Sequence, residues 1–510
     1  MGRNSCAAFF ITIVAYGRPP RGRLDCGSRS TSSMALYTNC MASGVYPMKT
    51  RVQPMKTTTK FTGLMLFALA LVICGCQKQS GPSLWPSIND PALADQLKSF
   101  ISEKQAQADA AGGKTLPGFS SFMAAAQRGD RAAVKKLGRQ IEHQSQDDPH
   151  LHTARVQTVN EIIGTFDAFG DGNAKYSALY GNEIIESIPP GSIYFGGTDP
   201  GRFVITAMQK SLVKGDPFFT LTQNALADGT YLDYLRSMYG SEIYIPTADD
   251  SQKCFNDYYD DVQKRMKLDK LQPGENASVD PASGKMQVSG QVAVMNINAL
   301  IVKVIFDHET NRDFYVEESF PLAWMYPYLE PHGLIFKLNH QPLSTLPDET
   351  VRQDHDYWSK TVSPMIGDWL NDDTSVSDVA AFSEKVFLRH DFSGFTGDTN
   401  FVLDSYAHKT FSKERSSSAG MYAWRAQNAT DPGEKERMNN AADFAFRQSW
   451  ALCPYSPEAV FRYVAFLMGE NRSSDALLVA ETAAKFSGTD GAPNESIKDL
   501  IAQLKRYQKQ

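Results

Sequence analysis

Two short loops hold the side chains best suited to chemistry. In the first, Gly196-Gly197-Thr198-Asp199-Pro200-Gly201-Arg202-Phe203 follows the apolar run Ser192-Ile193-Tyr194-Phe195. Glycines let a backbone bend sharply and turn its N–H groups toward an anion, as helix N-termini do, and an arginine there is suited to clamping a carboxylate or phosphate. In the second, Gln223-Asn224-Ala225-Leu226-Ala227-Asp228-Gly229-Thr230-Tyr231 adds Asn224 and Asp228. Two carboxylates and an arginine converging at one place would be equipped for acid/base work, or for holding a sugar by its hydroxyls. The same residues have a plainer use. Asp199 before Pro200 reads as a helix N-cap with proline at the first helical position, and Asp228-Gly229-Thr230 reads as another cap.

Other chemistries find no pattern. The first loop matches neither the dinucleotide GxGxxG nor the GxxxxGK[ST] phosphate loop, and the chain has no HExxH and no hydrolase GxSxG. His308, His332 and His340 are scattered, and Asp354-His355-Asp356 reads as a solvated helix start rather than a ligand set. No metal and no cofactor is expected.

The elements that must position the loops follow from patterning. Strand, glycine-bearing loop, helix, repeated through Val204, Met208 and Leu212, then Pro217 to Thr222, then Tyr231 to Tyr239, predicts a parallel βαβα arrangement whose two loops lie at one sheet edge. Open α/β sheets bind ligands at that edge. Val292 to Phe306, with Lys303 its only charge, predicts a buried helix; 313–318 and 333–338 predict strands. Beyond residue 350 the chain reads as antiparallel helices over 419–426, 434–452, 456–468 and 474–486. Ser456-Pro457-Glu458-Ala459-Val460-Phe461-Arg462-Tyr463 with Ala476-Leu477-Leu478-Val479-Ala480-Glu481-Thr482-Ala483 resembles a tetratricopeptide pair. The expected fold class is an α/β centre followed by an all-α helical-repeat tail.

The front of the chain is different. Residues 1–75 hold nine Lys or Arg against Asp25 alone, a net charge of +8, which leaves −14 for the rest of a chain whose total is −6. An acidic body repels phosphate backbones, and no nucleic-acid partner is expected. Met55-Lys56 with Lys60, the uncharged stretch from Phe61 to Ile73 and then Cys74-Gly75-Cys76 form a cationic n-region, a short apolar h-region and a small residue before cysteine. Ile73-Cys74-Gly75-Cys76 resembles the bacterial lipobox. That resemblance implies lipid on Cys76, extracytoplasmic anchoring and, with Gln77 next, the outer membrane. An uncleaved signal anchor is the other reading, disfavoured because the h-region is too short to span comfortably. Four of the seven cysteines precede Cys76, leaving Cys254 and Cys453, for which two free thiols are favoured over one disulfide.

The expected organisation is a mistranslated or disordered leader at 1–54, a lipoprotein signal peptide at 55–75 and a tether at 76–89. A helical segment follows at 90–149, with Asp90 capping a helix that carries Leu93, Leu97 and Ile101 on one face, then an α/β domain at 150–345 and a helical domain at 346–510.

Tyr194-Phe195-Gly196-Gly197-Thr198-Asp199-Pro200-Gly201-Arg202-Phe203, the Gln223 to Tyr231 stretch and Tyr326-Pro327-Tyr328-Leu329-Glu330-Pro331-His332-Gly333-Leu334 look like the soluble, extracytoplasmic region of bacterial membrane proteins related to protein O-mannosyltransferases, a domain of unknown function. The likeness spans about residues 183 to 345 and implies location and fold rather than an activity. Two functions compete. One is a binding or scaffold module whose helical tail meets a protein partner. The other is an enzyme, or an accessory subunit of envelope glycan transfer, using the Gly196–Phe203 and Gln223–Tyr231 loops. Gly196, Gly197, Asp199, Arg202, Asn224 and Asp228 are the ligand-binding candidates. Binding is favoured, because no complete catalytic constellation is present.

Overall fold

The computed structural model of the protein describes residues 83–110, 116–147, 153–209, 218–272, 274–279, 286–318, 321–486 and 494–509. The leader, the signal segment and Cys76 lie outside the described residues.

Helices α1 (Pro91–Ala110), α2 (Phe119–Gln127) and α3 (Arg131–Asp147) open the fold. Asp90 accepts from the backbone N–H of Ala92 at 2.9 Å, as an N-cap does, and Leu93, Leu97 and Ile101 are buried on one face. The stretch expected to tether the chain is docked from residue 83 onward. Leu84 is buried, its N–H donates to Gly129 O at 2.8 Å, and Trp85 Nε1 donates to Gln127 O at 3.0 Å.

Helices α4 (Ala154–Gly170) and α5 (Ala174–Ser187) lead into strand β1 (Ile193–Gly196), helix α6 (Asp199–Met208), strand β2 (Phe219–Thr222) and helix α7 (Gly229–Tyr239). β1 and β2 are adjacent and parallel, Ile193 opposite Phe219, so the expected strand-helix-strand-helix unit is present. Helix α8 (Ala248–Lys267), a hairpin of β3 (Asn276–Val279) and β4 (Met286–Ser289), and helix α9 (Gln291–His308) follow, the last over the predicted buried run.

The central sheet is mixed rather than purely parallel. β5 (Phe314–Glu317), β6 (Leu329–His332) and β7 (Ile335–Leu338) complete the order β2-β1-β5-β7-β6. β5 is parallel to β1, but β7 is antiparallel to both β5 and β6. The cause is local. Gly333, at φ +62°, turns β6 directly into β7 as a hairpin, and a turn that short only permits antiparallel pairing. Pro331 lacks an N–H and is tolerated because β6 is an edge strand.

The remainder is helical: α10 (Asp348–Ile366), α11 (Val376–Phe382), α12 (Thr399–Leu403), α13 (Ser405–Asn428), α14 (Pro432–Leu452), α15 (Pro457–Gly469), α16 (Ser473–Ala484) and α17 (Asn494–Tyr507). α13 is buried on almost every side. Its serines allow close approach and tie it to three neighbours: Ser417 Oγ donates to Glu318 O at 2.6 Å, Ser412 Oγ to Ser449 O at 2.8 Å and Ser416 Oγ to Glu458 O at 3.1 Å. One apolar cluster consequently runs through sheet and tail, from Leu84 to Leu504. Cys254 and Cys453 are buried free thiols.

Candidate functional site

The two loops do meet. Asn224 Nδ2 donates to Gly197 O at 2.9 Å, and Asn298, from α9, locks the second loop by accepting from Ala227 N at 2.7 Å and donating to Asn224 O at 3.1 Å. The expected anion position at the start of α6 is taken by the chain's own Glu317. Its carboxylate, at the end of β5, accepts from Gly197 N at 3.1 Å, Thr198 N at 3.0 Å and the Thr198 hydroxyl. The glycines make the room: a Cβ on Gly201 would lie 1.5 Å from Glu317 Oε2, and one on Gly197 would lie 2.0 Å from Glu318 Oε2. Gly196 is equally confined, its Cβ position 2.8 Å from Gly201 O.

Thr198, not Asp199, is the N-cap of α6; Asp199 sits in the first helical turn and pairs with Arg202 at 2.7 Å. Asp228 caps α7, accepting from Thr230 N at 2.9 Å, and its second oxygen accepts from Gln157 Nε2 at 3.2 Å. Asp199 and Arg202 are therefore engaged with each other, and Asp228 with its own helix.

Behind Glu317 lies Glu414 of α13, fully buried and hydrogen-bonded to it. Burial first, then the negative charge of Glu317, pushes the Glu414 carboxyl well above its ordinary value, so it holds a proton and donates it to Glu317. Tyr180 OH donates to Glu414 Oε1 at 3.2 Å, and Tyr194 OH to Gly201 O at 2.8 Å. Neither glutamate stands out by pattern: Glu317 lies in what reads as an ordinary alternating strand, and Glu414 among the polar residues Ser412, Lys413, Arg415 and Ser416 of a helix.

Among the described residues an open cleft lies elsewhere, in the helical region. α10, α13 and α14 splay around a cleft of about 590 Å³ lined by four arginines, four aspartates, His355, Tyr422, Asn440 and Phe444 among others. The spacing explains the lining. Asp348, Val351, Arg352 and His355 fall at i, i+3, i+4 and i+7 on α10, and Arg437, Asn440, Ala441 and Phe444 repeat that spacing on α14.

At the base, Asp354 and Arg415 form an ion pair with side chains only 2% and 1% exposed. Asp354 Oδ2 accepts from Arg415 Nη1 at 2.7 Å and from Tyr422 OH at 2.9 Å; Arg415 Nε donates to Gln448 Oε1 at 2.7 Å. Asp354 Oδ1 is buried and has no hydrogen-bond partner among the described residues. Arg447 clamps the loop after α10, donating to Asp372 O at 2.9 Å, and pairs with Asp443 at 3.2 Å. The His355 ring stacks on Phe444 with centroids 4.5 Å apart.

Asp354-His355-Asp356 is thus only partly a solvated helix face: Asp356 is exposed, Asp354 is not. The signal was available, since Val351, Asp354, Trp358, Val362 and Met365 make one stripe along α10 and the acid interrupts it. The three scattered histidines each meet a backbone carbonyl at 2.8 Å: His308 that of Val304, His332 that of Ser187 and His340 that of Arg312.

Among the described residues no group of three or more His, Cys, Asp or Glu is placed to hold a metal ion, and no helix is long and apolar enough to cross a membrane. Compared with protein-family models, with curated proteins and with solved structures, the chain matches none of them.

Proposed function

We propose that this protein is a non-enzymatic binding module, anchored extracytoplasmically on a bacterial envelope membrane by lipid on Cys76, and that it takes its ligand in the cleft between α10 and α14. The supporting observation is the base of that cleft. A buried carboxylate oxygen without a donor costs about 1 to 3 kcal/mol, a cost that a bound donor would relieve. Asp354 Oδ1 is such an atom, beside an ion pair already spent on holding three helices together. Pockets of a few hundred cubic ångströms suit small ligands. The lipid anchor rests on the Met55 to Cys76 pattern and on an acidic body. The pairing of α15 with α16, closed by Asn471 at φ +59°, supports a tetratricopeptide-like surface for a protein partner.

The second reading, an accessory role in envelope glycan transfer at the sheet-edge loops, is favoured by one observation. Gln223 Oε1, Asn224 Oδ1 and Arg202 Nε are buried there without partners among the described residues, a set that sugar hydroxyls would satisfy.

Thermal-shift screening against envelope sugars, amino acids and short peptides tests both readings, using Asn440→Trp to fill the cleft from an exposed position. A stabilising compound whose effect disappears in Asn440→Trp supports the cleft. One whose effect survives it but disappears in Arg202→Met supports the loops and overturns the cleft. Intact mass of the membrane-extracted protein tests the anchor: a chain retaining residues before Cys76 overturns it.

A further inference from the structure

Resting on the cleft as binding site, we infer that its ligand is a small zwitterion, a short peptide with free ends, its ammonium on Asp354 and its carboxylate on Arg437. Three buried atoms without a hydrogen-bond partner line the same cleft, one acceptor and two donors; the donor Arg447 Nε is turned to Asp443, 3.2 Å away on its own helix and only 18% exposed, which leaves two of opposite chemistry for a ligand. Asp354 Oδ1 is a buried acceptor lacking a donor, and Arg437 Nη1 is a buried donor lacking a hydrogen-bonded acceptor. Arg437 Nη1 does lie 3.1 Å from Asp348, but that aspartate is 90% exposed, and an exposed ion pair is easily exchanged for a ligand carboxylate. Arg437 Nη2 stays held by Glu434 at 2.6 Å and by Leu346 O, so the guanidinium is positioned before anything binds.

The lining carries four arginines and four aspartates, a balance that disfavours a ligand of large net charge of either sign and favours one bearing both. A neutral sugar would donate to Asp354 Oδ1 and accept from Arg437, but it brings no charge to replace that of Asp348 beside the guanidinium. The volume of about 590 Å³ exceeds what one amino acid fills and is in the range of pockets that enclose larger small molecules. The His355 ring stacked on Phe444 gives one wall a flat, amphipathic face for a peptide side chain.

The test is calorimetric titration of the full, detergent-solubilised protein with trialanine, N-acetyl-trialanine, trialanine amide, free alanine and maltotriose. Trialanine is expected to bind, with acetylation and amidation each weakening it by roughly tenfold or more, as loss of one charge-assisted hydrogen bond does. Free alanine is expected to bind more weakly than the tripeptide. Asp354→Asn strands Arg415 and is prone to unfold, so Arg437→Gln is the second variant. It should weaken trialanine yet leave the amide unchanged, because only the free carboxylate uses that side chain. Equal binding of all three tripeptide forms, or no trialanine binding at roughly millimolar concentration, overturns the ligand class. Maltotriose binding that Asn440→Trp abolishes also overturns it while leaving the cleft intact as a site. Binding of any compound that Asn440→Trp leaves unchanged overturns the cleft itself.

Discussion

Glu317 and Asp354 are both buried carboxylates, and the chain satisfies them differently. Glu317 is saturated by two backbone N–H groups, a hydroxyl and the proton of Glu414, and Gly201 exists to admit it. Gly201→Ala would drive a methyl group into that carboxylate. The expected cost is about 3 kcal/mol or more, read as a lower urea midpoint, and an unchanged midpoint would contradict the close approach. Glu414, with its folded value raised, binds a proton that the unfolded chain releases above the ordinary 4.5, so its contribution to stability is full below that value and declines as pH rises. Glu414→Gln keeps a donor toward Glu317 and removes this decline. Its stability relative to the parent should therefore improve as pH rises. His408 has the opposite sign. Burial first, then the Lys409 charge, lowers it from 6.5 to about 3. The native state excludes a proton that the unfolded chain takes up, so stability falls on acidification below 6.5, by roughly 4 kcal/mol once pH nears 3. His408→Gln, able to keep the contact with Tyr455 OH, should flatten that limb of the pH–stability curve.

At the scale of elements, capping logic decides how the loops work. Asp228→Ala removes the side chain that accepts from Thr230 N, and is expected to cost about 1 to 2 kcal/mol in a urea melt. The same change should leave the trialanine affinity untouched, since Asp228 is remote in role from the cleft. Much of this level was legible in the sequence. Asp90 and Pro91 start α1 where expected, α9 covers the uncharged run, and Pro457 starts α15, because caps, prolines and apolar periodicity act within a few residues of themselves. Thr198 displaced Asp199 as the cap because the latter's carboxylate turns to Arg202 one helical turn on, while the Thr198 hydroxyl serves both Gly201 N and Glu317. The β3–β4 hairpin and β6 were not legible, because Asn276–Val279 is only four residues long and largely exposed, and Leu329–His332 carries Glu330, Pro331 and His332 where a strand's apolar alternation would stand.

Across the whole molecule, α13 binds the sheet to the helical tail. Arg425 Nη2 donates to Leu329 O at 2.8 Å and Ser417 to Glu318 O, across 96 and 99 residues of chain, and Tyr180 of α5 donates to Glu414, so the sheet and its flanking helix are completed by a helix far later in the chain. A fragment ending at residue 345 would expose that interface and leave Glu317 without its proton donor. It is expected to lack a cooperative thermal transition, whereas the full chain melts as one unit; a sharp transition in the fragment would show that the α/β part is independent. What the sequence by itself determined is what depends on near neighbours: the acidic body behind a basic front, the helix starts, the parallel β1–α6–β2 unit and the meeting of its two loops. What only the tertiary structure decided is which charged groups are buried together. Glu317 with Glu414, and Asp354 with Arg415, stand about 97 and 61 residues apart in the chain. No spacing rule reaches that far, because the energy of a buried charge is set by whatever the fold packs against it, and that is a property of the folded surface rather than of local sequence.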